Sequence, residues 1–120
     1  MDDRELTYKI QGCVFEVFRN LGAGFLEQVY QKALLKELKL AGLNAISEKG
    51  IDVFYKGEIV GEYRADIIVE DRVLLEIKAQ ATLPITAEPQ LLNYLKATGI
   101  KIGMLVNFTH PKATVKRLVM

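Results

Sequence analysis

Hydrophobic residues recur at helical spacing near the start of the chain. From about Asp3 to Leu21 they fall three or four positions apart, at Leu6, Ile10, Cys13, Val14, Val17 and Phe18. Gly22 follows as a stop signal. A second pattern of this kind runs from about Leu26 to Ala41 and is closed by Gly42. The spacing therefore predicts two consecutive amphipathic helices.

The pattern then changes to that of strands. From Ala45 to Ala79, β-branched and aromatic residues are punctuated by EKG, YKGE and EDR, which favours a three-stranded meander. TAEPQLLNYLKATG returns to helical spacing, with Thr86 as its N-cap and Gly99 as its C-terminal stop. KIGMLVNF and TVKRLVM predict two short strands, the first apolar enough to lie centrally. The order α-α-β-β-β-α-β-β predicts an α/β fold with a mixed central β-sheet flanked by helices.

Alternation fixes the register of the hairpin within EYRADIIVEDRVLLEIKA, residues 62–79. Its apolar set comprises Ala65, Ile67 and Val69 in the first arm and Val73, Leu75, Ile77 and Ala79 in the second. Both arms reach one core only if Ile67 lies opposite Leu75, which requires a three-residue loop, Glu70–Arg72. The same register places Asp66 opposite Glu76, and Arg64 opposite Lys78, on the other face.

Two carboxylates facing each other across strands repel unless a cation lies between them. One interpretation is an ordinary ion-pair network in which Arg64 and Lys78 neutralise Asp66 and Glu76. The other is a hard divalent cation held by the two acids, because Mg²⁺ binds one or two carboxylates and keeps sites for water and phosphate oxygens. Lys78 would then orient or help deprotonate a water molecule, or stabilise charge on a phosphate.

Composition and charge narrow the function classes. A chain of 120 residues, half hydrophobic and about a quarter charged, predicts one globular domain over residues 1–120. No membrane span or secretory signal is visible, and the single cysteine, Cys13, suits a reducing compartment, so we expect a cytoplasmic protein. The net charge of +1 divides into −3 for residues 1–80 and +4 for residues 81–120. That asymmetry permits a basic patch facing phosphates.

Three motifs carry a resemblance to a known superfamily. Asp66 and Glu76-Ile77-Lys78 form D-xₙ-E-x-K on adjacent strands, which resembles the core of the PD-(D/E)XK nucleases and their restriction-endonuclease-like fold. Residues 24–30 read G-x-x-E-x-x-Y, similar to the signature of the GxxExxY protein family within that superfamily. Residues 90–94 read Q-x-x-x-Y, as in the helix after the E-x-K strand of RecB-like nucleases. Ala65 replaces the proline of the motif.

The resemblance spans the whole chain and implies a nuclease that hydrolyses phosphodiester bonds with Mg²⁺ or Mn²⁺. It implies Asp66 and Glu76 as metal ligands, Glu27 as an additional acid of the metal site, and Lys78 as the catalytic lysine. It also implies that Gln90 and Tyr94 lie beside the site, where they meet the substrate or brace the lysine. The basic residues Lys96 and Lys101 are further candidates for substrate contact.

The expected partner is nucleic acid, with DNA favoured over RNA. One active site cuts one strand per binding event, so a homodimer would suit cleavage of a duplex. Two other functions remain open: a non-catalytic module that binds nucleic acid or protein on the same fold, and an interaction protein whose hairpin charges form only ion pairs. Nucleic-acid or protein binding that persists without divalent metal would indicate the non-catalytic module. Thermal stability that does not change when Mg²⁺ or Mn²⁺ is added would indicate the interaction protein.

Overall fold

A computed structural model describes all 120 residues, and its eight elements follow the predicted order. They are α1 (Asp3–Leu21), α2 (Glu27–Leu40), β1 (Ala45–Tyr55), β2 (Glu58–Val69), β3 (Val73–Lys78), α3 (Ala87–Thr98), β4 (Ile102–Asn107) and β5 (Thr114–Val119).

The helix ends show why these segments begin and stop where they do. The Asp2 carboxylate accepts a 2.8 Å hydrogen bond from the Glu5 backbone N–H and so caps α1. Gly22 and Gly99 follow α1 and α3 with φ of 67° and 78°, a backbone region that favours glycine. Thr86 directly precedes α3 as predicted, but its hydroxyl makes no capping bond.

The five strands form one mixed sheet in the order β1-β2-β3-β4-β5. β3 and β4 are parallel and are connected through α3, while the other three pairs are antiparallel. All six residues of β4 are buried, which confirms the prediction that this strand is central.

Helices cover both faces of the sheet and create two hydrophobic cores. The larger core joins α1 and α2 to one face through residues such as Leu6, Leu34, Ile67 and Leu75. The smaller core joins α3 to the other face through Ile68, Leu74, Leu91 and Leu95. Because β3 alternates between the cores, Glu76 and Lys78 share the face of Leu74, which α3 covers.

The hairpin has the predicted register. Ile67 pairs with Leu75, Ile68 with Leu74 and Val69 with Val73, and residues 70–72 form the predicted three-residue loop. The paired residues of β2 and β3 end at Ile67, so the ladder stops immediately before Asp66.

Two details of the predicted hairpin are wrong, and both follow from this early end. Ala65 packs in the α3 core with Ile68 instead of sharing a face with Ile67. Arg64 does not pair with Lys78, because the β2–β3 ladder has ended at Ile67, and on the β1 side of β2 it lies opposite Gly50. The alternation breaks at Asp66, whose neighbour in β1, Glu48, is unpaired and has a φ of 55°.

The distal half of the β1–β2 ribbon extends beyond the cores, because none of residues 52–61 is buried.

The three helices are too short or too polar to cross a lipid bilayer.

Candidate active site

Asp66 lies where β2 and β3 separate. Its Oδ2 atom accepts a 2.7 Å hydrogen bond from the backbone N–H of Ile77. Its backbone carbonyl accepts a 3.1 Å bond from Nε2 of Gln31 on α2. The Asp66 carboxylate thus takes the place of a β2–β3 backbone acceptor for the Ile77 N–H. Gln31 of α2 satisfies the Asp66 carbonyl, which has no partner on β3. These two bonds fix the position of Asp66 where the strands separate.

Glu76 projects from β3 into the protein interior. Only 4% of its surface is exposed, and its Oε1 atom is buried without any hydrogen-bond partner. A buried carboxylate oxygen without a partner is costly, and such atoms are rare in folded proteins. The side chain therefore presents an unsatisfied acceptor at the centre of the site.

Both acids bind protons more tightly than free carboxyl groups. Burial, followed by the charge of Asp66, raises the pKa of Glu76 to about 8. Burial, and then the charges of Glu27 and Glu48, raises the pKa of Asp66 to about 6, although the Ile77 N–H bond and Lys78 act in the opposite direction. Strong perturbation of neighbouring acids is a feature of functional sites.

The charges of the hairpin do not form the ion-pair network that was one interpretation of the sequence. The chain has three ion pairs within 4.0 Å, Arg19–Glu16, Arg72–Asp3 and Lys116–Glu88, and none involves the site. Arg64 donates instead to the backbone carbonyl of Glu48, at 3.1 Å. Lys78 lowers the pKa of both acids but pairs with neither.

Glu27, the first residue of α2, lies near the same acids, since its charge contributes to raising the pKa of both Asp66 and Glu76. However, no three Asp, Glu, His or Cys side chains converge closely enough to chelate an ion together. The candidate donors are therefore Asp66 and Glu76, with Glu27 acting on both through its charge. Two carboxylates, one with an unsatisfied oxygen, fit a hard divalent cation that retains water.

Gln90 and Tyr94 are joined on α3, because Nε2 of Gln90 donates a 2.9 Å hydrogen bond to the Tyr94 hydroxyl. The Tyr94 ring is 8% exposed and packs 5.1 Å from the ring of Tyr63 on β2. The pair therefore lies on the helix that covers the Glu76 face. Tyr94 is largely a core residue, and Gln90 is its exposed partner.

Lys96 and Lys101 lie away from the acids. Lys101 precedes β4 at the end of the sheet where β3 begins, as Ile102 pairs with Val73. Lys78 is five residues further along β3, about 16 Å at about 3.3 Å per residue. Lys96 occupies the exposed side of α3, near its C-terminal end.

Sequence reasoning missed three residues that shape the site. Gln31 holds the Asp66 carbonyl, and Glu48 adds a nearby negative charge. Asn107 exchanges two hydrogen bonds with the backbone of Gln80, at 3.0 and 2.8 Å, and so fixes the segment after Lys78. Only Gln31 had a sequence signal, since it follows Glu27 by four residues on the same helix face.

Comparison with solved structures supports the fold. The chain is similar to the protein in "Crystal structure of SSO0001", with a TM-score of 0.57 and 20% sequence identity. The similarity covers 77% of this chain and 48% of the other, so this chain spans about half the length of that protein. No curated protein sequence matches the chain significantly.

Comparison with protein families identifies a superfamily. A sequence profile of the PD-(D/E)XK nuclease superfamily matches residues 4–118, which include all three motifs. The narrower GxxExxY assignment stays a prediction, because the match is to the superfamily. The match extends over nearly the whole chain, and the chain belongs to the PD-(D/E)XK nuclease superfamily.

Proposed function

We propose that the protein is a divalent-metal-dependent nuclease that hydrolyses phosphodiester bonds in nucleic acid. The observation that carries this proposal is the pair formed by buried Glu76 and half-buried Asp66, which has raised pKa values and no ion-pair partner. A site kept only for stability would gain by pairing these charges or replacing them with apolar side chains. Superfamily membership points in the same direction.

Asp66 and Glu76 would hold the ion directly, and Glu27 would support it through water. Nucleases of this superfamily generally use divalent metal ions, and Mg²⁺ or Mn²⁺ suits an all-oxygen donor set. Such an ion, when bound, supplies positive charge that acidifies water and offsets the charge of the phosphate. The unsatisfied Oε1 of Glu76 would gain the partner that it lacks.

Lys78 would act at the phosphate. In the hydrolysis, a water oxygen forms a bond to phosphorus, the bond from phosphorus to the leaving sugar oxygen breaks, and that oxygen takes up a proton. The Lys78 ammonium shares the sheet face of Glu76 and makes no ion pair. It is therefore free to orient the attacking water or to hydrogen-bond a phosphate oxygen as negative charge develops there.

The substrate in this proposal is nucleic acid, with DNA favoured over RNA, and residues 1–120 act as one nuclease-like domain. Gln90 lies exposed beside the covered face and would contact the substrate, with Tyr94 bracing it through their hydrogen bond. One site cuts one strand at a time, so a homodimer would provide the two sites that a duplex break requires.

The test is cleavage of labelled single-stranded DNA, duplex DNA and RNA, with Mn²⁺ or Mg²⁺ and with excess EDTA. We expect metal-dependent cleavage by the unaltered chain and its loss in Asp66→Asn, Glu76→Gln and Lys78→Met. Matched controls are Glu62→Gln and Lys56→Met, which change exposed residues of the β1–β2 ribbon. Full activity in folded Glu76→Gln and Lys78→Met variants would falsify the assignment.

The alternative is a non-catalytic module that binds nucleic acid or protein on the same fold. The absence of a three-acid cluster favours it, because many metal sites use more than two protein ligands. This alternative predicts nucleic-acid binding that is unchanged by EDTA and by Glu76→Gln, with no cleavage of any of the three substrates.

A further inference from the structure

Three lysines on α2 are exposed and unpaired. Lys32, Lys36 and Lys39 are four and three residues apart, so they share one helix face. None of the three ion pairs of the chain involves them. Glu37 lies in the same stretch but about 140° around the helix from Lys32, at about 100° per residue. Its backbone carbonyl accepts a bond from the Cys13 thiol of α1, and its charge, after burial, raises the pKa of that thiol, so its carboxylate lies on the α1 side of the helix.

These lysines line a depression on α2 that adjoins a second, smaller depression. A surface cavity of about 350 Å³ is bounded by Lys32, Leu35, Lys36, Lys39 and Leu40. A smaller one of about 80 Å³ shares Lys32 and Leu35 with it and is also bounded by Gln28, Gln31, Ser47 and Glu48. Gln31 in turn donates to the Asp66 carbonyl. A path of cavity-lining residues therefore follows α2 from Lys39 to Gln31, which contacts the Asp66 backbone.

We propose that this path, named here the α2 track, holds the sugar–phosphate backbone of the strand that flanks the cleaved bond. The inference rests on the proposed nuclease function. Lys32 and Lys39 are separated by about 10.5 Å at 1.5 Å per residue. The rise along the axis of a duplex is about 3.4 Å per step, and phosphates of one strand lie further apart than this because the strand winds around the axis. Three flexible lysine side chains over this span can therefore reach neighbouring phosphates of one strand.

The chemistry of the α2 track favours phosphates over bases. No aromatic ring lines either cavity, so stacking with bases is not available. Lysine ammonium groups bind phosphate as point charges, and such contacts position a strand without reading its sequence. Glu48 lies at the end of the track nearest Asp66. Because both carboxylates would repel a phosphate, a phosphate at this end requires a cation between itself and them.

The track also accounts better for phosphate contact than the basic C-terminal third of the chain does. Lys116 is already paired with Glu88 at 2.7 Å. Lys101 lies at the far end of the sheet from Lys78. The lysines of α2 are unpaired, and their cavity adjoins a second one that is lined by Gln31 and Glu48.

The experiment compares two variants that each remove three exposed lysines. Lys32→Gln/Lys36→Gln/Lys39→Gln removes the track, and Lys9→Gln/Lys56→Gln/Lys112→Gln is the matched control, because none of these three exposed lysines is a candidate for substrate contact. Glutamine keeps nearly the helix propensity of lysine, and circular dichroism checks that both variants fold. The probe is a labelled mixed-sequence DNA of about 20 nucleotides, single-stranded and as a duplex, titrated in EDTA at several salt concentrations.

We expect the track variant to lose at least about tenfold in affinity at about 100 mM salt, while the control stays within about twofold of the unaltered chain. The slope of log K against log salt should become shallower by about 2 for single strands and about 3 for duplex. An unchanged affinity in the track variant, an equal or larger loss in the control, or no binding by the unaltered chain overturns the inference.

Cleavage and binding assays on the same proteins distinguish failure of this inference from failure of the proposed function. Metal-dependent cleavage by the unaltered chain, together with unchanged DNA binding in the track variant, overturns the α2 track alone. Track-dependent binding without cleavage of any substrate overturns the nuclease proposal and leaves the track standing as a binding surface.

Discussion

The buried carboxyl group of Glu76 is energetically costly in the folded chain. One of its oxygens is unpartnered, and no cation neutralises the group within the chain. Folding therefore disfavours the charged form, as the raised pKa values of Glu76 and Asp66 show. Buried polar atoms of this kind persist where a ligand or a reaction needs them.

The pKa of Glu76 predicts how stability depends on pH in EDTA. The native pKa is about 8, against an ordinary 4.5. Between those values the native state holds more protons than the unfolded chain, so the free energy of unfolding falls as pH rises. The fall from this group is at most about 1.4 kcal/mol per pH unit. Glu76→Gln should remove it, so the variant should become progressively more stable than the unaltered chain up to about pH 8.

Urea unfolding at pH values from about 5 to 9 measures this difference. Glu62→Gln, a change of an exposed acid on the same hairpin strand, is the control and should follow the unaltered chain throughout. Parallel curves for Glu76→Gln and the unaltered chain would show that burial of the carboxyl does not raise its pKa.

The β2–β3 hairpin creates the site through its register, and this part was predictable from sequence. Alternation of apolar residues required the pairing of Ile67 with Leu75, which the structure has. The break in alternation at Asp66 was not predictable, since it depends on Gln31 of α2 and Glu48 of β1, which are distant in sequence. The alternation of apolar and polar residues within one strand does not indicate contacts with residues of other elements.

The length of the hairpin loop should decide whether the site forms. Deleting Asp71 leaves a two-residue turn, which moves one arm's apolar set to the opposite face. We expect loss of cooperative thermal unfolding in this variant. Asp71→Gly keeps the loop length and relieves a φ of 54°, so it should retain or slightly raise stability. Native-like melting of the deletion variant would contradict the register argument.

The packing of α3 on β4 depends on Gly103. A Cβ atom at this position would lie 2.9 Å from Cδ1 of Leu91, which is fully buried and cannot swing away. Gly103→Ala should therefore lower the free energy of unfolding by about 1–3 kcal/mol.

A double-mutant cycle with Leu91→Ala isolates this clash by urea unfolding. The double variant should lose less than the sum of the two single losses, because the added methyl then occupies the space that Leu91 vacates. Strict additivity would show that the two positions do not compete for space.

The distribution of charge over the assembled protein could be predicted only in part. The sequence showed a basic C-terminal third, but folding pairs Lys116 with Glu88 and places Lys101 at the far end of the sheet from Lys78. Folding also gathers Lys32, Lys36 and Lys39 on one exposed face of α2, although they belong to the acidic part of the sequence. The net charge of a sequence segment does not show on which surface its side chains lie after folding. The geometry of the D…E-x-K motif could be predicted because it depends only on two adjacent strands.

The most direct measurement is thermal unfolding at about pH 7.5 during a Mn²⁺ titration of the unaltered chain and Glu76→Gln. Binding to the native state alone should stabilise the unaltered chain by about 2.7 kcal/mol when free Mn²⁺ is 100 times its Kd. Glu76→Gln should show little or no shift, because it cannot supply the charged oxygen that the ion requires. An unaltered chain that does not respond to Mn²⁺, or a Glu76→Gln variant that responds equally, would contradict a metal site between Asp66 and Glu76.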